Sequence, residues 1–203
     1  MRKADLRHNH QAFDDSLQRY RAFMQKVVKA KRVLASSAEK RDLAESVLLR
    51  LCAHWEAFID EHLVDSVNCD HSLLADFFGV SIPEHPSKHL CQALLFGESY
   101  RDFRSFADLK GFSKKLLPQV SNPFLAVSEA HSKKIDEVYK IRNYLAHYSG
   151  KARRALMGMY RKEYDMDRCL EPGQFLLAYQ AKRLWAYFDA FEGASAAMKD
   201  WCA

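Results

Sequence analysis

The chain has 203 residues, 48% of them hydrophobic and 12% aromatic, with a formal net charge of +5. That is enough apolar content for a substantial core, so a disordered tail is excluded and one domain spanning residues 1–203 is the simplest expectation. No apolar run approaches the roughly 20 residues needed to span a bilayer, and the cysteines (Cys52, Cys69, Cys91, Cys169, Cys202) are odd in number and dispersed. With no apolar h-region in Met1 to Asp5, the reading is reduced thiols in a cytoplasm.

Seven Gly and five Pro are few, and apolar spacings of three and four residues dominate, which predicts an all-α protein. A first helix is expected from Asp5 to Val33, with Leu6, Phe13, Leu17, Tyr20, Met24 and Val27 on one stripe. Residues 1–32 hold nine basic side chains (Arg2, Lys3, Arg7, Arg19, Arg21, Lys26, Lys29, Lys31, Arg32) against Asp5, Asp14 and Asp15. This is either a solvated face or a surface for a polyanion, whose neutralised phosphates release counterions. Ser36 with Glu39 reads as a capping box that opens a second long helix, whose buried face is Leu43, Val47, Leu48, Leu51, Trp55, Phe58, Ile59 and Val67.

From Cys69 to Asn122 the pattern breaks into short pieces around Pro83 and Pro86, an irregular insert with short helices. A third long helix is expected to start near Asn122-Pro123, carry Ile135, Val138, Ile141, Leu145 and Tyr148 inward, and end at Gly150. Lys151 to Asp167 reads as a basic, poorly patterned linker. A last helix from Pro172 to Trp201 contributes Phe175, Leu176, Tyr179, Leu184, Trp185, Phe188 and Phe191.

The stretch Ile141-Arg142-Asn143-Tyr144-Leu145-Ala146-His147 puts an arginine, an amide and a histidine on the third helix. Bare spacing says little, since Arg2 and His8 nearly repeat it and an exposed helix face of this composition is commonly just solvated. The Asn directly after the Arg, inside a strongly periodic helix, sets the second instance apart. On a wheel of 100° per residue with Ile135 at zero, Arg142 falls at about 340°, Asn143 at about 80° and His147 at about 120°. Ile141, Leu145, Val138 and Tyr148 fall between about 220° and 300° and define the core side, so the trio is expected to face largely away from it. A site open on one side needs a wall, and the simplest one is the same helix from a second copy across a two-fold axis.

Arg142-Asn143 followed by Ala146-His147 resembles the motif of the HEPN superfamily (higher eukaryotes and prokaryotes nucleotide-binding), in which an Arg and a polar residue shortly precede a His in a helical bundle. Asn122-Pro123-Phe124 and the helix carrying Leu51, Trp55, Glu56 and Phe58 are similar to stand-alone HEPN proteins of bacterial conflict systems. The resemblance implies an up-and-down bundle acting as a homodimer. It also implies a metal-independent endoribonuclease with no cofactor, serving as a toxin or anti-phage nuclease controlled by an antitoxin or regulatory protein. Other HEPN members are inactive, which leaves a non-catalytic RNA-, nucleotide- or protein-binding dimerisation module as the second reading. A third, DNA binding by the basic first helix, lacks any recognisable DNA-reading motif.

In RNA the 2′-OH lies beside the scissile phosphate, so catalysis needs help with its deprotonation, charge stabilisation and protonation of the leaving 5′-oxygen. The product is a 2′,3′-cyclic phosphate. His147 suits the general acid/base role. Arg142 suits phosphate binding through forked hydrogen bonds, and Asn143 would orient His147 or bind a phosphate oxygen. Tyr144 and Tyr148 are candidates for base stacking, with Tyr148 placed on the core side. Lys151, Arg153 and Arg154, with Arg161 and Lys162, are candidates for the RNA backbone. Glu56 is either the carboxylate that neutralises and positions Arg142 or a surface acid. His85, His89 and Cys91, near Cys69 and His71, have zinc-ligand chemistry without a paired zinc spacing, and no metal is expected there. His54, Glu61 and His62 recur at helical spacing on a surface that Trp55 and Phe58 claim as core.

Overall fold

The computed structural model describes residues 6–31, 36–97 and 103–201; of Arg7, Asp200 and Trp201 only the backbone is described. Every regular element among them is a helix, and no helix is long and apolar enough to cross a membrane. α1 (Leu6–Lys29) and α2 (Ser37–Cys69) form the first hairpin. α1 buries Phe13, Leu17, Tyr20, Met24 and Val27 at spacings of three and four, as an amphipathic stripe should. α2 opens with the expected capping box: the Glu39 amide donates to Ser36 Oγ at 3.2 Å and the Ser36 amide to Glu39 Oε2 at 2.6 Å.

The stretch after Cys69 holds three short helices, α3 (Leu74–Phe78), α4 (Lys88–Phe96) and α5 (Phe106–Leu116). Pro123 begins only a 3-10 turn, Pro123–Ala126, and the third long helix α6 (Glu129–His147) starts later, where Ser128 Oγ accepts from the His131 amide. α6 also stops sooner than expected: Tyr148 takes left-handed φ 44°, and Gly150 is the first residue of a further helix, α7 (Gly150–Tyr164). The stretch read as a basic linker is therefore helical as far as Tyr164. Its apolar stripe is short (Leu156, Met159, Tyr160) and its basic residues mask the period. α8 (Pro172–Trp201) completes the bundle.

Trp55, fully buried, is the junction of four helices. Its ring centre lies 5.3 Å from Phe13 of α1, 6.1 Å from Phe106 of α5 and 5.1 Å from Phe191 of α8. Two glycines let α8 come close. A Cβ at Gly173 would stand 2.6 Å from Arg41 Cβ of α2, and one at Gly193 would stand 2.2 Å from the His131 ring of α6. α8 itself is broken by a left-handed turn, Tyr179, Gln180 and Ala181 at φ 53°, 59° and 62°, each costing about 1–2 kcal/mol in a non-glycine residue.

Glu137 of α6 is buried, 1% exposed. Its carboxylate accepts from Tyr164 Oη at 2.5 Å, Tyr187 Oη at 2.9 Å and Lys134 Nζ at 2.9 Å. Burial, followed by the Glu137 charge, raises the Tyr187 hydroxyl well above its ordinary pKa. Burial works against the Lys134 ammonium, yet hydrogen bonds to Tyr164 and Glu137 hold its pKa above the ordinary value.

A second polar knot joins α1, α2 and α8. His10 and His62 are both fully buried, their rings edge to face at 4.8 Å. His10 Nδ1 lies 3.1 Å from Ser195 Oγ, which donates to Asp14 at 2.9 Å. Desolvation, then the Lys199 charge, lowers the His10 pKa to about 4. Desolvation, then His10, lowers that of His62 to about 3. Both imidazoles are thus neutral in the folded chain at neutral pH. The unfolded chain takes up protons below about pH 6.5, while the folded chain refuses them down to about pH 4 and 3. Stability present above pH 6.5 is therefore lost as pH falls, with a slope approaching about 1.4 kcal/mol per pH unit for each histidine. Urea midpoints measured from pH 7.5 downward should fall less steeply in His62→Phe than in the parent; identical slopes would show that the pair does not govern acid sensitivity.

Candidate functional site

The rotation of α6 places the three motif side chains in three environments. Its buried residues include Tyr139, Tyr144 and Glu137 as well as Ile135, Val138, Ile141 and Leu145, so the inward arc runs from about 180° through zero to about 40°. Arg142 falls inside that arc and is tucked against α2, where the sequence reading had it outward. Its Nη2 meets Glu56 Oε2 at 3.5 Å and its Nη1 donates to Asn143 Oδ1 at 3.0 Å. The two ion-pair side chains are 24% and 13% exposed. Glu56 in turn lies 3.7 Å from the Cys52 thiol one turn earlier on α2. Glu56 is thereby the carboxylate that positions Arg142, rather than a surface acid.

Asn143 is half-buried and bonded to Arg142, not to His147. His147 is the last residue of α6 and exposed. Five residues separate it from Arg142, a rise of about 7.5 Å and a rotation of about 140° along the helix. Within one chain the imidazole and the guanidinium therefore leave the helix in different directions. The guanidinium, with two of its groups fixed by Glu56 and Asn143, still has N–H groups to offer an anion.

The tyrosines exchange the places the sequence suggested. Tyr144 is buried, 8% exposed, and burial raises its hydroxyl pKa, so it packs rather than offering a face to a base. Tyr148 is 67% exposed, with its ring centre 5.3 Å from that of Tyr144. A wheel carried past the helix end misplaced it: the left-handed backbone at Tyr148 turns the side chain out.

Immediately beyond, Ser149 Oγ accepts from the Ala152 amide and α7 begins. The helical setting groups Lys151, Arg153 and Arg154 in the first turns of α7, all exposed and beside a helix N-terminus whose dipole favours anions. Farther along, Arg161 pairs with Asp167 at 3.6 Å and Lys162 with Glu163 at 3.9 Å. On α1, Arg21 is held by Asp189 and Glu192, both at 2.9 Å, while Lys26 and Lys29, and Lys31 just beyond the helix, are exposed. Arg2, Lys3 and Arg32, and the side chain of Arg7, lie outside the described residues.

Other sequence candidates separate. Cys91 is buried, with the Asn68 amide 3.9 Å from its sulfur, while His85 and His89 are exposed. Among the described residues no three of His, Cys, Asp and Glu gather as a metal site. His54 and Glu61 are exposed and His62 joins His10 in the core, a pairing across 52 positions for which neither helix carries a local signal.

Comparison with protein-family models, curated proteins and solved structures finds no match. The site therefore stands on its own geometry. A double-mutant cycle over Glu56→Gln and Arg142→Gln should give a coupling energy of about 1 kcal/mol, the order expected for a partly exposed pair; strictly additive urea midpoints would show that the two side chains do not interact.

Proposed function

We propose that this chain is a metal-independent endoribonuclease of HEPN type that works as a homodimer. The observation that carries the reading is a guanidinium anchored from two sides, by Glu56 and Asn143, on the helix that ends in an exposed histidine. An anchored arginine keeps its remaining donors aimed, which suits a phosphate whose charge grows in the transition state. An exposed imidazole suits proton transfer to a substrate that arrives from solvent.

In the proposed reaction His147 removes the 2′-OH proton and the 2′-oxygen attacks phosphorus. The bond from phosphorus to the 5′-oxygen breaks, and an imidazolium returns a proton to that oxygen. Arg142 holds the phosphoryl oxygens throughout. The angular gap between Arg142 and His147 supports a groove shared by two copies, in which residues from both α6 helices meet one phosphodiester. Lys151, Arg153 and Arg154 would track the RNA backbone as it leaves, and Tyr148 is the tyrosine available to a base. An antitoxin or other regulatory protein fits this reading, since a free ribonuclease harms its own cell.

The second reading, a non-catalytic HEPN-like module that binds RNA, nucleotide or a protein, draws on one fact: among the described residues no side chain is hydrogen-bonded to the exposed His147 ring. Purified protein incubated with end-labelled RNA in EDTA separates the two. The proposal expects 2′,3′-cyclic phosphate ends, abolished by His147→Ala with the dimer intact and reduced at least about 100-fold by Arg142→Ala. Full cleavage by His147→Ala sinks the assignment, and no cleavage by the parent favours the binding module.

A further inference from the structure

We propose that the left-handed turn in α8 is a binding site for single-stranded nucleic acid, with Tyr179 as the platform on which a base stacks. Tyr179 is 76% exposed and sits in the run of three left-handed residues. Strain of this kind persists only where the surroundings over-determine it, and it concentrates at working surfaces. Here the surroundings are visible. The Arg183 guanidinium stands 5.0 Å from the Tyr179 ring centre and 4.3 Å from that of Phe175, and its Nη1 donates to the Phe175 carbonyl at 3.2 Å. The ring is therefore steadied from below by a fixed cation while most of its surface faces solvent.

A groove opens on each side of the turn. One, of about 560 Å³, is lined by Arg21, Gln25, Val28, Lys29, Gln180 and Trp185. The other, of about 310 Å³, is lined by Ser37, Lys40, Arg41, Gln174, Leu177 and Ala178. The grooves share a wall, because Lys40 Nζ reaches back to the Val28 carbonyl at 3.4 Å and to that of Ala30. Their linings include four cations and no carboxylate. Arg21 is spent on Asp189 and Glu192, which leaves exposed Lys29 and half-buried Arg41 as the phosphate contacts.

Cations and amides in two grooves, with an exposed aromatic between Ala178 of one lining and Gln180 of the other, match a flexible polyanion with flat bases, since stacking tolerates any base and the cations follow the backbone. The glutamine amides can meet base edges. The site lies toward the same end of the bundle as His147. His131 packs on Gly193, and Glu137 bonds Tyr187 of α8, so α6 runs antiparallel to α8 and its C-terminus approaches the turn.

The test uses a fluorescein-labelled oligothymidylate, which has no 2′-OH, so binding is read apart from any cleavage. The intact chain should bind it, with affinity falling as salt rises. Tyr179→Ala should weaken binding roughly tenfold or more, Tyr179→Phe should retain it, Lys29→Gln should weaken it and flatten the salt dependence, and duplex DNA should compete poorly. Because Tyr179 is exposed, these variants should keep the parent's helical content. Unchanged affinity in Tyr179→Ala, or no binding by the parent, overturns the site. So does a Tyr179→Ala change in oligomeric mass by light scattering without a change in affinity, which would make the turn a seat for a second copy.

Discussion

The rotation of α6 depends on one buried carboxylate. Glu137 is almost fully enclosed, and a charge in that position is tolerable only when it is paired and hydrogen-bonded. Lys134 supplies the charge from the same helix, while Tyr164 of α7 and Tyr187 of α8 supply hydroxyls from two others. All three helices must therefore hold one relative setting, or the carboxylate is left without partners. Once Glu137 is fixed, the 100° step of the helix fixes the rest. Arg142 is delivered to Glu56 on α2, Tyr144 is turned inward, and His147 is carried out to solvent.

That geometry divides the labour between a rigid and an open half. The guanidinium is anchored before any ligand arrives, so little ordering remains to oppose anion binding. The histidine is free, and within one chain it points away from the arginine. For the proposed reaction both groups would have to meet one phosphodiester, which is the physical argument for a second copy. α7 adds three exposed cations directly after the histidine, and the Tyr179 turn lies toward the same end of the bundle. Under the proposed function a nucleic-acid strand would then meet aromatic and basic groups on both sides of His147.

The long helices were legible because their apolar residues recur at three and four over many turns, and the Ser36–Glu39 capping box marks one start in the sequence itself. Arg142, Asn143, His147 and Glu56 were legible as residue types; of their geometry, the open position of His147 was legible, and the pairing of Glu56 with Arg142 was one of two alternatives. A wheel whose core side was set by Val138, Ile141, Leu145 and Tyr148 left out Ile135 at zero and Tyr139 at about 40°, both buried, so Arg142, which falls between Val138 and Ile135, was read as outward. α7 was missed because three buried residues, Leu156, Met159 and Tyr160, are a thin signal among five basic ones. The boundary at Tyr148 escaped because a tyrosine rarely takes left-handed backbone. Nor could His10 and His62 be paired, since their contact belongs to the packing of α1 on α2 and not to either helix.

Whether two copies of α6 wall in one groove is decided by a crystal structure of the assembled protein, read as the placement of the two His147 side chains. Two imidazoles facing one another across a common groove, each with the other chain's Arg142 along the same floor, are the expected result. Histidines on opposite faces of the assembly, or a chain that remains monomeric at the concentrations where it acts on RNA, would contradict the composite site.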